Sequence, residues 1–473
     1  MKCKFLTFPI ILLLALSACA HYPRNAALSS FDRSAGYRFS NLAPLWNNSD
    51  DLFVILTFSG GGTRAMAMSY GVMEKLKETG ISWHGGERSL LDEVDIISSV
   101  SGGSITAAYY GLYGDRLFQD FSEKILYRNI KEDLLREVFS PRGWFRISSS
   151  DFSRTDLTDE YYDREFFQGA TFGDMRKERP FILINATDMI QGVRFEFSQD
   201  QFDLLCGDLS KLHVSRAVTA STSFPVIFAP MRLDNHAGQC GYQPPEWLIR
   251  DYKEEDMSTG LYDQSRMLMT YLDSKRRPFI KLVDGGVSDT IALRGPLYAL
   301  IRGDCLWSLQ DKIKRNAIKK LLVIIVNAKA EPDDISESVL SRFGLAQNVK
   351  RVTVSVLQNY SSDTTERIND LFSQWKKAET AYAERCAYCE RNERGRTEHC
   401  VGEIYPEGRP PYPQTSLVHL RFDSLQDDSE RQFLNSIGTG LALPRESIDR
   451  VRAAAKKLLD DSPQFQDFLH SLQ

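Results

Sequence analysis

The sequence predicts an α/β fold on a mainly parallel sheet, and three observations carry that expectation. Leu52-Phe53-Val54-Ile55-Leu56-Thr57-Phe58 is a near-continuous apolar run, as a strand buried on both faces requires. Glycines end it and a helical pattern follows, with Met66, Tyr70, Met73 and Leu76 on one stripe. Apolar runs of strand length recur at 94–100, 181–186, 279–283 and 321–326, separated by segments long enough for helices.

Taken from the start, Lys2 and Lys4 precede an apolar stretch over 5–16 and then Ser17-Ala18-Cys19. This is the three-part layout of a secretory signal, and its apolar part is too short to span a bilayer comfortably. Leu16-Ser17-Ala18-Cys19 also resembles a bacterial lipobox. That resemblance implies removal of 1–18, acylation of Cys19 and stable anchoring by several acyl chains. Ala20 stands where Asp would mark inner-membrane retention, which favours the outer membrane.

Residues 19–50 are polar and irregular and read as a tether. The folded body is expected over 51–330, its first helix running from Ala65 to Thr79 and stopping at Gly80, a C-cap residue. A C-terminal extension over 331–473 is expected to be helical and to pack on that body through a strand at 417–422 and a helix at 446–459. Within it, 380–413 is dense in charge, Cys, Gly and Pro, and is expected to be an irregular surface insertion.

With Cys3 removed and Cys19 acylated, six cysteines remain: Cys206, Cys240, Cys305, Cys386, Cys389 and Cys400. Export favours disulfides, including one through Cys400. The alternative is zinc held by Cys386, Cys389, His399 and Cys400, although the Cys389 to His399 gap matches no diagnostic spacing. At 42% hydrophobic and 26% charged, the 473 residues suffice for one large folded body or two moderate ones. The net charge of −5 offers no basic field to a phosphate backbone, which argues against nucleic acid as a partner.

Three clusters carry chemistry. At Ser99-Val100-Ser101-Gly102-Gly103 a strand runs into a small-residue turn and then a helix start, the context that exposes a nucleophilic serine on a strained backbone. Gly60-Gly61-Gly62-Thr63-Arg64 lies between the first strand and its helix, where backbone N–H groups can converge on an oxyanion, each donor supplying ~3 kcal/mol. A nucleotide phosphate loop fails on detail, since no Gly-Lys-Ser/Thr follows and the dinucleotide spacing is absent. Asp284-Gly285-Gly286 ends the run at 279–283, placing a carboxylate at a strand terminus. His21 and His399 lie in the tether and the insertion, while His84, His213, His236, His419 and His470 lack a motif setting. A triad therefore has no evident histidine, and an aspartate taking the serine proton directly fills the vacancy.

In this order the clusters resemble the patatin-like phospholipase family, with Ala186-Thr187-Asp188 and the segment Ser215 to Pro225 agreeing between them, over about Leu52 to Pro296. The resemblance implies a three-layer α/β/α fold, Ser101 as nucleophile and Asp284 as general base. It further implies Gly60, Gly61 and Gly62 at the oxyanion hole with Arg64 supporting their loop, Ser99 and Gly103 in the elbow, and Gly285 and Gly286 completing the aspartate motif. Ser59, Ala65 and Ser99 depart from the family's usual residues, all three small or polar. The implied activity is serine hydrolysis of lipid esters (phospholipase A, lysophospholipase or esterase type) through an acyl-enzyme, with membrane lipid as substrate and anchor and neither metal nor cofactor required. An acyltransferase or thioesterase, and a non-catalytic envelope scaffold, are the other readings.

Overall fold

In the computed structural model, which describes residues 22–46, 48–149, 152–225, 228–253, 260–303, 305–330, 345–392 and 396–473, the first apolar run is a strand, β1 (Leu52–Phe58), with every residue buried. The glycines lead into α1 (Thr63–Glu78), and a hairpin of β2 (Gly80–Trp83) and β3 (Gly86–Ser89) precedes β4 (Val94–Val100), again buried throughout. α2 (Gly102–Tyr113) and α3 (Arg154–Tyr162) lead to β5 (Phe181–Asp188) and β6 (Val193–Glu196). α4 (Val214–Thr222), β7 (Met231–Asp234), β8 (Phe279–Asp284), α5 (Arg294–Ile301) and β9 (Lys320–Val326) follow. The long α6 (Leu345–Asn392), then β10 (Gln414–Leu420) and α7 (Arg445–Asp460), complete the main elements.

The eight-stranded sheet has the order β10-β9-β1-β4-β5-β8-β7, with β6 also on β5. From β10 to β5 neighbouring strands are parallel, which agrees with the continuous apolar runs. The run at 279–283, expected as another such strand, is instead antiparallel to both β5 and β7. The physical reason lies in its pattern: Phe279 and Lys281 are exposed while Ile280 and Leu282 are buried, the alternation of a strand with one wet face.

Helices α1, α2 and α4 pack in a row on the sheet. Ile182 faces α2, where a side chain at Gly111 would come within 2.6 Å of it. Its neighbour Phe181 points to the opposite face and meets Phe39, as strand alternation dictates. Residues 22–46 are thus no free tether. Tyr22, Tyr37, Phe39 and Leu42 are buried, and the Arg38 guanidinium is neutralised by Asp200 and Asp203, each at 2.7 Å. The segment reads as polar because few apolar residues anchor it, and loops supply its backbone pairing, as in Leu28 N–H to Cys206 O. Cys19, with 1–21, lies outside the described residues.

The C-terminal extension completes the sheet, since β10 adds beside β9 in register from Gln414↔Lys320 to Leu420↔Val326. α7 lies against α1, where Gly71 permits an approach so close that a Cβ there would sit 2.6 Å from Arg452 O. The stretch 380–413 is more regular than expected. α6 continues to Asn392 because its charged residues are good helix formers, and a short helix, Thr397–Gly402, folds back on it through the Cys389–Cys400 disulfide. That bridge joins two of the four groups considered for zinc, and His399 turns instead to Glu403 at 3.6 Å. A second disulfide, Cys206–Cys240, ties the segment before α4 to the loop after β7.

Candidate active site

β4 ends at Val100, and Ser101 then adopts φ 51° and ψ −127°, a conformation that costs a non-glycine residue about 1–3 kcal/mol. Its surroundings leave room for nothing larger: a Cβ on Gly102 would fall 2.1 Å from Gly62 O, and one on Gly103 2.7 Å from Phe58 Cβ. Ser99, at the position where glycine is usual, keeps its side chain out of the turn by donating its hydroxyl to Leu183 O across the β4–β5 ladder at 3.1 Å. The elbow is also held from α4. Ser101 N–H donates to Ser221 Oγ at 2.8 Å, and that hydroxyl donates onward to Asn185 O at 2.7 Å.

Sheet register brings the acid to the serine. Val100 is level with Asn185 on β5, and Asp284 at the end of β8 is level with Ala186, so Ser101 and Asp284 meet across the end of β5. Ser101 Oγ donates to Asp284 Oδ2 at 3.0 Å, while Gly286 N–H donates to Oδ1 at 2.8 Å. The Asp284 backbone is fixed by Ser223 O, which accepts its N–H at 2.9 Å, and by Thr187 Oγ1, which donates to its carbonyl at 2.9 Å. Gly285 has to be glycine because a Cβ would sit 2.2 Å from Asn185 O.

Burial pushes the Asp284 carboxyl up to about 6, and its hydrogen bonds from Gly286 and Ser101 pull only partly the other way. Desolvation thus adds basicity to alignment. If this carboxylate is the base, turnover of a soluble ester rises through about pH 6 and levels above it, which a kcat/KM–pH profile checks. Each histidine with a recorded polar partner is engaged elsewhere: His84 with Asp51, His213 with Asp163, His236 with Asn25 O, His399 with Glu403 and His419 with Asn327. Among the described residues, none is hydrogen-bonded to Ser101 or Asp284.

The glycine loop divides by role. Gly60 is not an oxyanion donor, because its N–H is already engaged by Thr290 O at 3.0 Å; instead it walls the site, with a Cβ there reaching within 3.3 Å of Ser101 Cβ. Gly61 (φ 141°) and Gly62 (φ 60°) hold conformations natural to glycine, and their N–H groups have no acceptor among the described residues. Arg64 likewise contributes no oxyanion donor through its guanidinium. It is buried and donates to Ala328 O at 2.7 Å, to Ile437 O and to Thr439 Oγ1 at 3.3 Å, and so ties the loop to the chain's last quarter. Burial lowers its pKa to about 10, with no carboxylate among the described residues to oppose it. Ser59 reinforces the tie, its Oγ accepting Ala328 N–H at 2.8 Å and donating to Gly60 O at 3.1 Å.

Sequence reading alone missed the individual roles of Ser221, Asn185 and Thr187. Thr187 and Ser221 were signalled only by membership of the segments 186–188 and 215–225, and Asn185 only by its place in the apolar run at 181–186.

The family model described as Patatin-like phospholipase matches residues 56–297, just over half of the chain, and the matched span holds the glycine loop, Ser101 and Asp284. No match is found among curated proteins. Among solved structures, human GIVD cytosolic phospholipase A2 is similar at 13% identity and a TM-score of 0.43, the match covering 89% of this chain and 62% of that one. Its complex with methyl γ-linolenyl fluorophosphonate and terbium chloride gives 15% identity, a TM-score of 0.38 and coverage of 89% and 59%. VipD from Legionella pneumophila is similar at 11% identity and a TM-score of 0.27, covering 94% of this chain and 73% of that one. On the family match, the chain belongs to the patatin-like phospholipase family of lipid hydrolases.

Proposed function

We propose that the protein is an envelope-anchored serine hydrolase of acyl lipids, working through a Ser101–Asp284 dyad and an acyl-enzyme. The observation that carries this reading is the 3.0 Å hydrogen bond from a strained elbow serine to a buried carboxylate, with no histidine hydrogen-bonded to either among the described residues. Asp284 Oδ2 takes the Ser101 proton as Oγ attacks the ester carbonyl. The N–H groups of Gly61 and Gly62 receive the oxyanion, and the leaving alcohol takes the proton back from Asp284. Water, deprotonated by the same carboxylate, then releases the fatty acid and restores the hydroxyl of Ser101. Phospholipid or another acyl lipid is the substrate class, in keeping with the family.

Hydrolysis of short p-nitrophenyl esters by the purified chain, and its loss in Ser101→Ala of unchanged fold, is the expected result. An inert, folded wild type would instead favour a scaffold.

Anchoring rests on Cys19. Attachment is assigned to an acylated Cys19 because Leu16-Ser17-Ala18-Cys19 resembles a lipobox, and cleavage there removes the apolar stretch over 5–16. Cys19→Ser is expected to move the protein from the membrane to the soluble fraction of the envelope, and globomycin to block processing of the native chain. Processing after Ala20 or later, with no lipid on the mature N-terminus, would contradict this. The outer membrane is the proposed location.

A further inference from the structure

The chain enters the fold at the sheet's free edge. Tyr22 donates its hydroxyl to Asp234 Oδ1 at 2.6 Å, and Asn25 pairs with the Asp234 backbone through both its amide oxygen (2.7 Å) and its amide nitrogen (3.0 Å). Asp234 ends β7, the last strand in the sheet order. Cys19 precedes Tyr22 by three residues, a reach of at most ~11 Å even when fully extended. An acylated Cys19 therefore leaves this edge almost no freedom to leave the bilayer surface.

The same edge has the chemistry of a membrane contact. Register sets Arg232 beside Lys281 and Asp234 beside Phe279, and the Arg232 guanidinium lies over the rings of both Tyr22 (4.5 Å) and Phe279. Phe279 is 38% exposed, and the adjoining β5–β6 turn, joined through Met189 N–H to Lys281 O at 2.8 Å, presents Met189 and Ile190 at 53% and 68%. Lys275 and Arg276 lie in the turn entering β8, which meets the end of β7 where Asn235 N–H donates to Pro278 O at 3.0 Å. Lys275, Arg276 and Lys281 have no ion-pair partner among the described residues, and Arg24 is exposed with only a long 3.9 Å approach to Asp234. Among the described residues the carboxylates on this edge are Asp188, neutralised by Arg277 at 2.6 Å, Asp234, engaged by Tyr22, and Asp273, which accepts the Arg276 N–H at 3.0 Å. Exposed apolar side chains amid unpaired cations match the apolar interior and anionic surface of a phospholipid bilayer.

Topology also puts this edge on the side of the sheet where the dyad lies. β5 passes the level of Val100 at Asn185 and continues to Asp188, and β8 runs back from Phe279 to Asp284. Five residues of strand separate Phe279 from Asp284, about 17 Å, close to the ~20 Å half-thickness of a bilayer with its headgroups.

We propose that the β7–β8 edge, with Tyr22, Arg24, Arg232, Phe279, Lys281 and the Met189–Ile190 turn, is the face by which the protein sits on an anionic phospholipid bilayer, at the strand ends beyond which Ser101 and Asp284 meet. The inference rests on the anchored, lipid-directed reading given above.

The test uses the chain from residue 19 onward, produced without 1–18 and carrying Cys19→Ser so that it has no acyl groups, in sedimentation with vesicles of phosphatidylcholine alone or with phosphatidylglycerol added. Binding is expected only to the anionic vesicles. Adding Lys275→Glu, Arg276→Glu, Lys281→Glu and Ile190→Asp is expected to weaken it at least ~100-fold, at roughly fivefold for each of the three cations removed. Hydrolysis of vesicle phospholipid falls with it, while turnover of p-nitrophenyl butyrate stays unchanged.

Phe139→Asp with Trp144→Asp, on the other exposed aromatic patch, serves as the control and is expected to leave binding intact. The proposal is overturned if the parent does not bind anionic vesicles, if the quadruple variant binds like the parent, or if only the control variant loses binding. Charge-dependent binding by a chain inert toward both soluble ester and vesicle lipid would uphold the docking face and refute the hydrolase reading.

Discussion

Asp284→Asn is expected to lower ester turnover by at least ~10⁴-fold, the scale on which serine hydrolases lose activity when the proton acceptor is disabled. The amide keeps the carboxylate's shape and can still accept from Gly286 N–H, so the loop that carries it stays in place. It cannot take a proton from Ser101 Oγ. Stability should move the opposite way. Because burial raises the Asp284 pKa from 3.8 to about 6, this group favours the folded state fully below about pH 3.8 and loses that contribution as pH rises through about 6. Two pKa units correspond to a cost of up to about 3 kcal/mol for holding the charge at pH 8. The neutral amide escapes that cost, so Asp284→Asn is expected to unfold at higher denaturant than wild type at pH 8 and at nearly the same concentration at pH 4. Chemical unfolding at the two pH values, alongside turnover, checks both halves. An inactive variant that is less stable at pH 8 would show that Asp284 holds the fold together rather than carrying a functional charge.

The second large effect is at Gly62. Its φ of 60° is paired with ψ of −139°, a combination that strains any side chain, as it does at Ser101, and a Cβ would lie 2.1 Å from Gly440 O, where the glycine loop bridges to the C-terminal segment. Gly62→Ala is therefore expected to reduce turnover at least ~100-fold by displacing an oxyanion donor. The loop motif alone points to a purely catalytic loss, whereas the Gly440 contact couples the change to stability, by about 1–3 kcal/mol. Gly60→Ala separates the two terms. Its methyl would meet only Ser101, at 3.3 Å to Cβ and 3.9 Å to Oγ, so it is expected to depress turnover with little change in unfolding. A fully active Gly62→Ala protein would remove this loop from the site.

How far the chain could be read without coordinates differs from one feature to the next, for physical reasons. β1, β4 and β9 announce themselves because strands buried on both faces have to be apolar at nearly every position. Ser101 and the glycines are legible because a strained turn and close backbone approach admit only small residues, a constraint that shows in a short window. The direction of β8 is less so. Its alternation is brief, and only pairing with β5 reveals that Asp284 meets Ser101 by running antiparallel. The ties through Ser221, Arg64 and Gly440 are invisible locally, since serine, arginine and glycine have many uses and their partners are far along the chain. The packing of 22–46 escaped notice because it depends on a few aromatic residues and on Arg38 meeting acids over 160 positions away.

Ser101 is activated by Asp284 and by no histidine in the mechanism proposed above. The most direct measurement is the rate of Ser101 modification by a fluorophosphonate, followed by peptide mass, in wild type, in Asp284→Asn and in the single alanine variants of His84, His213, His236 and His419. Modification at Ser101 is expected in wild type and in all four histidine variants, and its loss in Asp284→Asn. Modification of another residue, or persistent modification of Asp284→Asn together with its loss in one folded histidine variant, would contradict it.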